Sequence, residues 1–488
     1  MKKLSPARKL EWSWILYDVG NSAFTLLIST IMPIYFNYLA GQGGVDETTA
    51  TAYWGYAASI VTLCVALLGP TLGTFSDFSG YKRPIFFFFA VAGVIGCAAL
   101  GIPMPWLVFL IVFILTKIFY SASLVFYDAM LVDVTTAGRA DDVSSKGYAF
   151  GYIGSCIPFL ISIAVVLLTD LPYSASIPIA LAINALWWLG FTLPLVKNYR
   201  QTHFVPRTAH AVRDNFKRLF SVFSKKSEIP NKKGIILFLV AFFLYIDGVY
   251  TIIDMATSFG TALGFDTTNL LLALLLTQVI AFPAAIVFGK LTKKVRNDVL
   301  ILVCIVAYTG VGLFAVFMTQ VWQFWLLACA VGLFQGGVQA LSRSYFAKII
   351  PADQSGCLFG ILDIFGKGAA FLGTLVVGAV TQATNSVNLG AIPIVCLFAA
   401  GIAVFILAAK VNRPYLAAQE QAAAQAEYDA LPDGLNEAEL PPAAELKEAE
   451  TDLLPEKTAG AEEILPAEEL PSDEREPVPA RPEPPDES

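Results

Sequence analysis

The sequence predicts an all-α integral membrane protein of twelve transmembrane helices, arranged as two pseudo-symmetric six-helix bundles. Three observations carry this prediction. Of 488 residues, 56% are hydrophobic and only 15% charged, with a mean hydropathy of +0.64; an ordinary soluble domain carries roughly 25% charged residues. Twelve apolar runs approach or exceed the length of about 20 residues that a helix needs to cross a bilayer. Lys and Arg fall in every second connection between those runs, as expected when basic loops stay on the cytoplasmic side.

The runs follow in order. The first, 12–40, comes after Lys2, Lys3, Arg8 and Lys9. It is too long for a signal-peptide core of about 7–15 residues and reads as a retained span. Loop 41–52 has no basic residue. Run 53–76 leads to loop 77–83 with Lys82 and Arg83, and 84–101 to a loop with none. Run 105–131 precedes Arg139 and Lys146, and 147–168 is followed by a loop with none. Run 175–196 opens onto the linker 197–233, which holds ten basic residues. The second half repeats the pattern with 235–263, 268–289, 298–317, 322–347, 356–380 and 390–410. Basic residues mark the loops at 290–297 and 348–355 and the segment after 410, and the alternating loops have none. The unbroken alternation places both termini in the cytoplasm.

The longest connection divides the chain into a six-helix bundle at 1–196, a cytoplasmic basic linker at 197–233 and a second bundle at 234–410. Within the linker, Phe216, Leu219, Phe220 and Phe223 recur at helical spacing beside Arg213, Lys217 and Arg218. This pattern predicts an amphipathic helix on the inner membrane surface. The formal charge of −7 is a sum of two unlike parts. Residues 411–488 carry 21 acidic against 5 basic residues, while 1–410 carry 27 basic against 18 acidic. Repeated Leu-Pro pairs and few aromatics predict a disordered acidic cytoplasmic tail, with 415–430 able to extend the last helix.

The halves echo each other. Leu16-Tyr17-Asp18-Val19-Gly20 in the first span matches Leu244-Tyr245-Ile246-Asp247-Gly248 in the seventh, offset by one at the acid. Phe150-Gly151-Tyr152-Ile153-Gly154 and Phe359-Gly360-Ile361-Leu362-Asp363 correspond in spans five and eleven. Such repeats place a solute site near the midplane between the halves and imply alternating access.

Several chemistries are unsupported. The seven cysteines sit in apolar runs without CxxC or Cys/His spacing, and are expected as buried reduced thiols. His203 and His210 both fall in the linker, so no metal site is expected. Gly366-Lys367 resembles the end of a phosphate-binding loop, but position 368 is Gly and the segment lies inside a span. No cofactor, enzyme activity or nucleic-acid partner is expected.

Gly73-Thr-Phe-Ser-Asp77-Phe-Ser-Gly80-Tyr-Lys82-Arg83 resembles the signature of the major facilitator superfamily, placed as expected after span two. The glycine permits a tight turn, and the acid can bind basic groups or a helix N-terminus at a closed inner gate. The counterpart after span eight, Gly289 to Lys294, has Lys293 at the acid position. Its half of the gate is expected to be weaker or differently paired. Glu11-Trp-Ser-Trp14-Ile-Leu-Tyr17-Asp18-Val-Gly20-Asn21-Ser22-Ala23-Phe24, with Pro33-Ile-Tyr35-Phe36, is similar to the opening of the unidentified major facilitator family, which includes the autophagy-related vacuole effluxers. Val125 to Leu131, Gln335 to Ser344 and Phe359 to Lys367 resemble the same family. The resemblance covers about residues 11–410. It implies the major facilitator fold, in which spans one, four, seven and ten line a central cavity.

Ionisable residues inside spans are costly and mark function by default. The candidates for a solute and proton cavity are Asp18, Asn21, Lys117, Asp128, Asp247, Asp254, Asp363 and Lys367. Those for the cytoplasmic gate are Gly73, Asp77, Gly80, Lys82, Arg83 and Arg343. Asp363 and Lys367, spaced i,i+4, are placed to pair, either as a neutralising structural pair or as a gating or solute contact. Lys117 has no acid within a turn of its own helix and must pair across helices, bind an anionic group or lose its proton. Asp18, Asp247 and Asp254 are candidates for proton coupling, against a structural hydrogen bond to a neighbouring helix. Tyr17, Tyr127 and Tyr245 fit packing or recognition.

The expected function is secondary active transport of a small solute, probed first as a proton-coupled carrier of zwitterions such as amino acids and working as a monomer. The alternatives are a lipid or lysolipid carrier, and a receptor or scaffold that uses its acidic tail.

Overall fold

The computed structural model describes residues 5–167, 169–206 and 229–429. The amphipathic linker helix, His210 and all but the start of the acidic tail lie outside the described residues. Among the described residues are twelve helices long and apolar enough to cross a membrane: α1 Pro6–Gln42, α2 Glu47–Ser76, α3 Lys82–Ala99, α4 Trp106–Ala129, α5 Ala140–Leu167, α6 Tyr173–Asn198, α7 Lys232–Ala262, α8 Thr267–Leu291, α9 Asn297–Val316, α10 Val321–Ile349, α11 Ser355–Thr384 and α12 Ile392–Asp429. The described residues up to Ala422 belong to one contact unit; a second begins at Ala423, of which the end of α12 is described.

Local chemistry explains the helix ends. Ser5 caps α1 by accepting from the Arg8 amide, with Pro6 in the first turn. Asp46 caps α2 through the Thr49 amide, and Asp266 caps α8 through the Thr268 and Asn269 amides. The turns before those two caps are copies. Gly44 and Gly264 have φ of 78° and 81°, and Val45 and Phe265 each donate back to a carbonyl five residues earlier, on Ala40 and Gly260. Left-handed backbone at that point favours glycine.

The helices differ from the sequence reading at a few ends. α5 starts at Ala140 rather than 147, taking in Asp141 and Asp142. Acids in a first turn complement the helix dipole, so these charges begin the helix instead of preceding it. α12 runs through position 410, the boundary drawn for the second bundle, to Asp429, the extension that 415–430 was read as able to form. The Ala, Gln and Glu residues there are strong helix formers.

Within the first half, α1 packs on α5 and α6, and α3 on α4 and α6. Within the second, α7 packs on α11, and α10 on α8 and α9. The duplication reaches single side chains. The Tyr17 hydroxyl lies 2.7 Å from that of Ser123, joining α1 to α4. The Tyr245 hydroxyl lies 2.7 Å from that of Ser342, joining α7 to α10. Outward-facing Leu67, Leu186, Trp322 and Val306 remain exposed on the protein, as lipid-facing side chains do. None of the seven cysteines forms a disulfide; Cys396 faces outward and Cys64 and Cys329 are half-buried, rather than being buried as expected.

The halves meet through α2 on α11 and through α5 on α8 and α10. Glycines allow this close approach. A Cβ on Gly73 would strike the Gly356 carbonyl, and one on Gly360 would lie 2.6 Å from the Gly69 carbonyl oxygen. Close backbone contact between small residues is the usual source of helix adhesion in lipid. The start of α1 and the basic loops share one side of the bundle, called here the basic face.

Candidate functional site

Two layers of polar residues lie between the halves. The first closes the basic face. Asp77 ends α2, and its carboxylate accepts from the Gly356 amide at 2.7 Å and the Cys357 amide at 3.0 Å. An acid from the first half thus caps a helix of the second, where the free amides and the helix dipole favour negative charge. Gly80, with φ of 80°, turns the chain back into α3. Lys82 is fully buried, and its Nζ donates to Asp133 Oδ2 at 3.1 Å and Ser355 Oγ at 2.9 Å. Asp133 also accepts from the Tyr199 hydroxyl, the Thr202 amide and hydroxyl, and the His203 amide. Burial alone would raise its pKa, but the Lys82 charge and these donors outweigh burial and hold the carboxyl well below the usual range. Burial and the neighbouring Asp133 push Tyr199 up.

Arg83, grouped with the gate from sequence, is exposed and makes no ion pair within 4 Å among the described residues. Its backbone begins α3 with the side chain on the outer surface, while Lys82 takes the inward position. Behind α8 the pairing differs, as the missing acid predicted. Lys293 is exposed. The acid is instead Asp141 of α5, which accepts from Asn297 Nδ2 at 2.6 Å and from the Lys348 ammonium.

One turn deeper sits Arg343 of α10, with its side chain 5% exposed. Its Nη1 lies 3.0 Å from Asp128 Oδ1 on α4, and its Nη2 lies 3.5 Å from Asp18 Oδ2 on α1. Nε donates to Ser144 Oγ at 2.9 Å, and Nη2 to the Ser144 carbonyl at 3.0 Å. The guanidinium stacks 4.3 Å from the Tyr148 ring and 4.6 Å from that of Trp14. Every one of these partners belongs to the first half. Asn21 completes the surroundings, donating to the Tyr17 carbonyl at 2.8 Å and lying 3.4 Å from Asp18 Oδ1. The structure therefore brings Asp18, Asn21 and Asp128, grouped with the cavity, onto Arg343, grouped with the gate. Trp14, Ser144 and Tyr148 were not singled out from sequence. Gly147 was the available signal: a Cβ there would meet Asp18 Oδ2 at 2.7 Å and Arg343 Nη2 at 3.0 Å.

The second layer lies further from the basic face. Asp363 and Lys367 pair along α11 at 2.7 Å. Lys117 of α4 and Asp254 of α7 belong to opposite halves. Asp247 is 1% exposed, 3.3 Å from the Thr251 hydroxyl, and accepts from the Gly373 amide. A separate cavity of about 750 Å³ opens on the basic face, lined by Glu11, Asp133, Arg139 and Lys348 among others. It borders the gate through Asp133, Thr202 and His203. Among the described residues no group of His, Cys, Asp and Glu could hold a metal ion.

A membrane-embedded bundle of twelve helices in two matched halves, closed at one face by contacts between them, is the architecture of a membrane transporter. Residues 6–418 match the family model described as "Vacuole effluxer Atg22 like". The chain belongs to this family of transporters of the major facilitator type. It is 41% identical over 404 residues to "Uncharacterized MFS-type transporter YxiO" of Bacillus subtilis, covering 81% of this chain and 94% of that protein. It is 26% identical over 277 residues to "Autophagy-related protein 22" of Yarrowia lipolytica, covering 50% of this chain and 46% of that one. The chain thus matches less than half of that fungal relative's length. The fold is that of the human organic anion transporter MFSD10, with a TM-score of 0.64 at 14% identity over 82% of this chain and 100% of that one. Family and fold are those of transporters, which implies a small-molecule substrate and a lipid bilayer as surroundings.

Proposed function

We propose that the chain is a secondary active transporter that carries a small solute by rocking its two halves, with protons as the coupling ion and both termini in the cytoplasm. The observation that carries this reading is Arg343, a buried cation of the second half held by Asp18, Asp128 and Ser144 of the first. A buried ion is favourable only with its partners in place, so this cluster is stable while the basic face is shut and must be dissolved and rehydrated when it opens. Asp77 on the α11 amides and Lys82 on Ser355 act in the same sense. Gly73 and Gly80 supply the close approach and the turn. The described cluster is complete within one chain, which supports function as a monomer.

Asp247 supports proton coupling. A carboxylate buried to 1% exposure, with a hydroxyl and one amide as its polar partners and no cation within ion-pair distance among the described residues, is costly when charged. Taking up a proton relieves that cost. Amino acids are the favoured solutes, because the membrane-level layer presents both signs of charge and the family model bears the description of an effluxer.

The test is flux in proteoliposomes containing the full chain, with radiolabelled neutral amino acids. An imposed pH gradient should drive accumulation, and Asp247→Asn should keep exchange while losing the gradient-driven component. Flux that ignores the gradient in the native protein would remove the proton from the mechanism.

A further inference from the structure

The cavity on the basic face is built by both halves. Its walls from the first half are the start of α1, between Ser5 and Glu11, and the segment 131–140 that leads from α4 into α5. Its walls from the second half are the end of α10 and the turn after it, between Ala347 and Ala352, with Gln419 of α12. At about 750 Å³ it falls within the range of roughly 300–1,000 Å³ usual for small-molecule sites. Leu131 and Val134 of one half and Ile350 and Pro351 of the other make its apolar lining.

The charges around it are unequally satisfied. Glu11 is 6% exposed and takes Arg139 as a fork, Nε on Oε1 and Nη2 on Oε2, both at 2.7 Å. It also accepts from the Thr135 hydroxyl at 2.9 Å. Asp133 is held by Lys82, Tyr199, Thr202 and His203. Lys348 is paired with Asp141 of the first half. Both lining acids therefore have their partners, whereas two lining cations keep donors to spare. Arg8 is exposed, and its guanidinium makes no ion pair or hydrogen bond among the described residues; its amide alone bonds, to Ser5. The fork on Glu11 leaves Arg139 Nη1 without a hydrogen bond among the described residues. Arg8 stands three residues before Glu11, on the same face of α1. Glu11 thus sets two guanidinium groups beside each other at the cavity. The first turn of α1, also in the lining, adds the positive end of a 37-residue helix.

We infer that this cavity is a regulatory site for a small amphiphilic anion, with a phosphate or carboxylate group for Arg8 and Arg139 and a short apolar body for the walls that the halves share. An oxyanion matches the planar, forked donors of arginine. A cation meets guanidinium groups and acids that are already paired, and an uncharged solute leaves the donors unanswered. Given the rocking proposed above, the site is whole only while the basic face is shut, because opening parts 347–352 from α1 and 131–140. A ligand with that preference shifts the protein towards the closed form, and opening in turn weakens the ligand by the same factor. Such control acts on the transport cycle whatever solute is carried.

The experiment uses the full-length chain with Cys357 as its sole cysteine, in phosphatidylcholine nanodiscs. Calorimetry measures binding, and maleimide labelling of Cys357 reports opening. The probes are hexyl phosphate, hexanoate, inorganic phosphate, hexylammonium and hexanol. Hexyl phosphate or hexanoate should bind and slow labelling, and hexylammonium and hexanol should do neither. Arg8→Gln should weaken binding about 5-fold, the scale of a half-exposed charge contact, and Arg8→Glu should weaken it further. Thr136→Trp should block binding by filling the space without removing a charge. Each variant should melt near the native temperature without ligand, which separates a lost site from a lost fold. Nanodiscs with added phosphatidate distinguish the sources: slow labelling there that Arg8→Glu reverses assigns the anion to a lipid headgroup, and an effect of soluble hexyl phosphate alone assigns it to a free solute. The inference is overturned if neither phosphatidate nor any soluble anion binds, if inorganic phosphate or hexylammonium acts as well as hexyl phosphate, or if the anion binds with no change in labelling. Labelling that stays slow in Arg343→Gln would count against the rocking itself and not against the binding.

Discussion

Arg343 Nη1 lies 3.0 Å from Asp128 Oδ1, and the two residues belong to opposite six-helix halves. With Asp18 at 3.5 Å on the other nitrogen, the guanidinium holds two acids that its own half does not supply. Arg343→Gln should destabilise the closed form strongly, on the scale of about 3–5 kcal/mol for a buried charge cluster stripped of one partner. Cys357 reports the outcome. It is 2% exposed beside the Asp77 contact. In a protein where it is the sole cysteine, maleimide labelling should be slow, and Arg343→Gln should speed it. Arg343→Lys should fall between, because it keeps the charge and loses the two-pronged geometry.

Gly73 sets the approach of α2 to α11. A valine at 73 should hold these helices apart, since its side chain would occupy the place of the Gly356 carbonyl. Solute flux should be lost while the protein still folds, and Cys357 should label rapidly. Slow labelling in Gly73→Val would show that the backbone contact is not what shuts this face.

Asp133 gives the fold an acid-side pH dependence. Its carboxyl is held below the ordinary range in the folded state. Its contribution is therefore full above the unfolded pKa of about 4 and is lost as pH falls through the folded value. Melting temperature should drop as pH falls below about 4, and Asp133→Asn should flatten that slope while lowering stability at neutral pH. An unchanged slope in the variant would assign the acid sensitivity to other carboxylates.

The matched hydroxyl pairs predict matched energies. Tyr17→Phe and Tyr245→Phe each remove one buried hydrogen bond between helices, at 2.7 Å in both halves. Each should cost roughly 0.6–1 kcal/mol. The two lie in different halves with separate partners, so the double variant should cost about their sum. Denaturation in mixed micelles measures this, and a clear excess over the sum would reveal coupling between the halves.

Much of the architecture was legible because lipid imposes simple rules. Hydropathy marked twelve spans, and twelve described helices are long and apolar enough to cross a membrane. The motif at 73–83 announced the contact of α2 with the other half, although Arg83 turned out to face outward. The start of α5 was missed because Asp141 and Asp142 read as loop charges, whereas a helix N-terminus welcomes them. The surroundings of Arg343 were only half visible. Its acids could be expected from the cost of burying a cation, but Ser144 and Tyr148 come from a helix remote in sequence and carry no local pattern.

The first residues after α6 are not loose. Gln201 accepts from the Gly80 amide at 3.1 Å and donates to the Ser76 carbonyl at 3.0 Å, Thr202 and His203 bind Asp133, and the Val205 amide donates to the Asp77 carbonyl at 2.8 Å. The covalent tether between the halves is thus anchored on the first half as far as Val205, at the loop that also holds α11. Severing the chain between 206 and 229 should then yield two fragments that reassemble when co-expressed, because recognition between them is built into the α2–α11 and α5–α8 seams and not into the peptide that joins them.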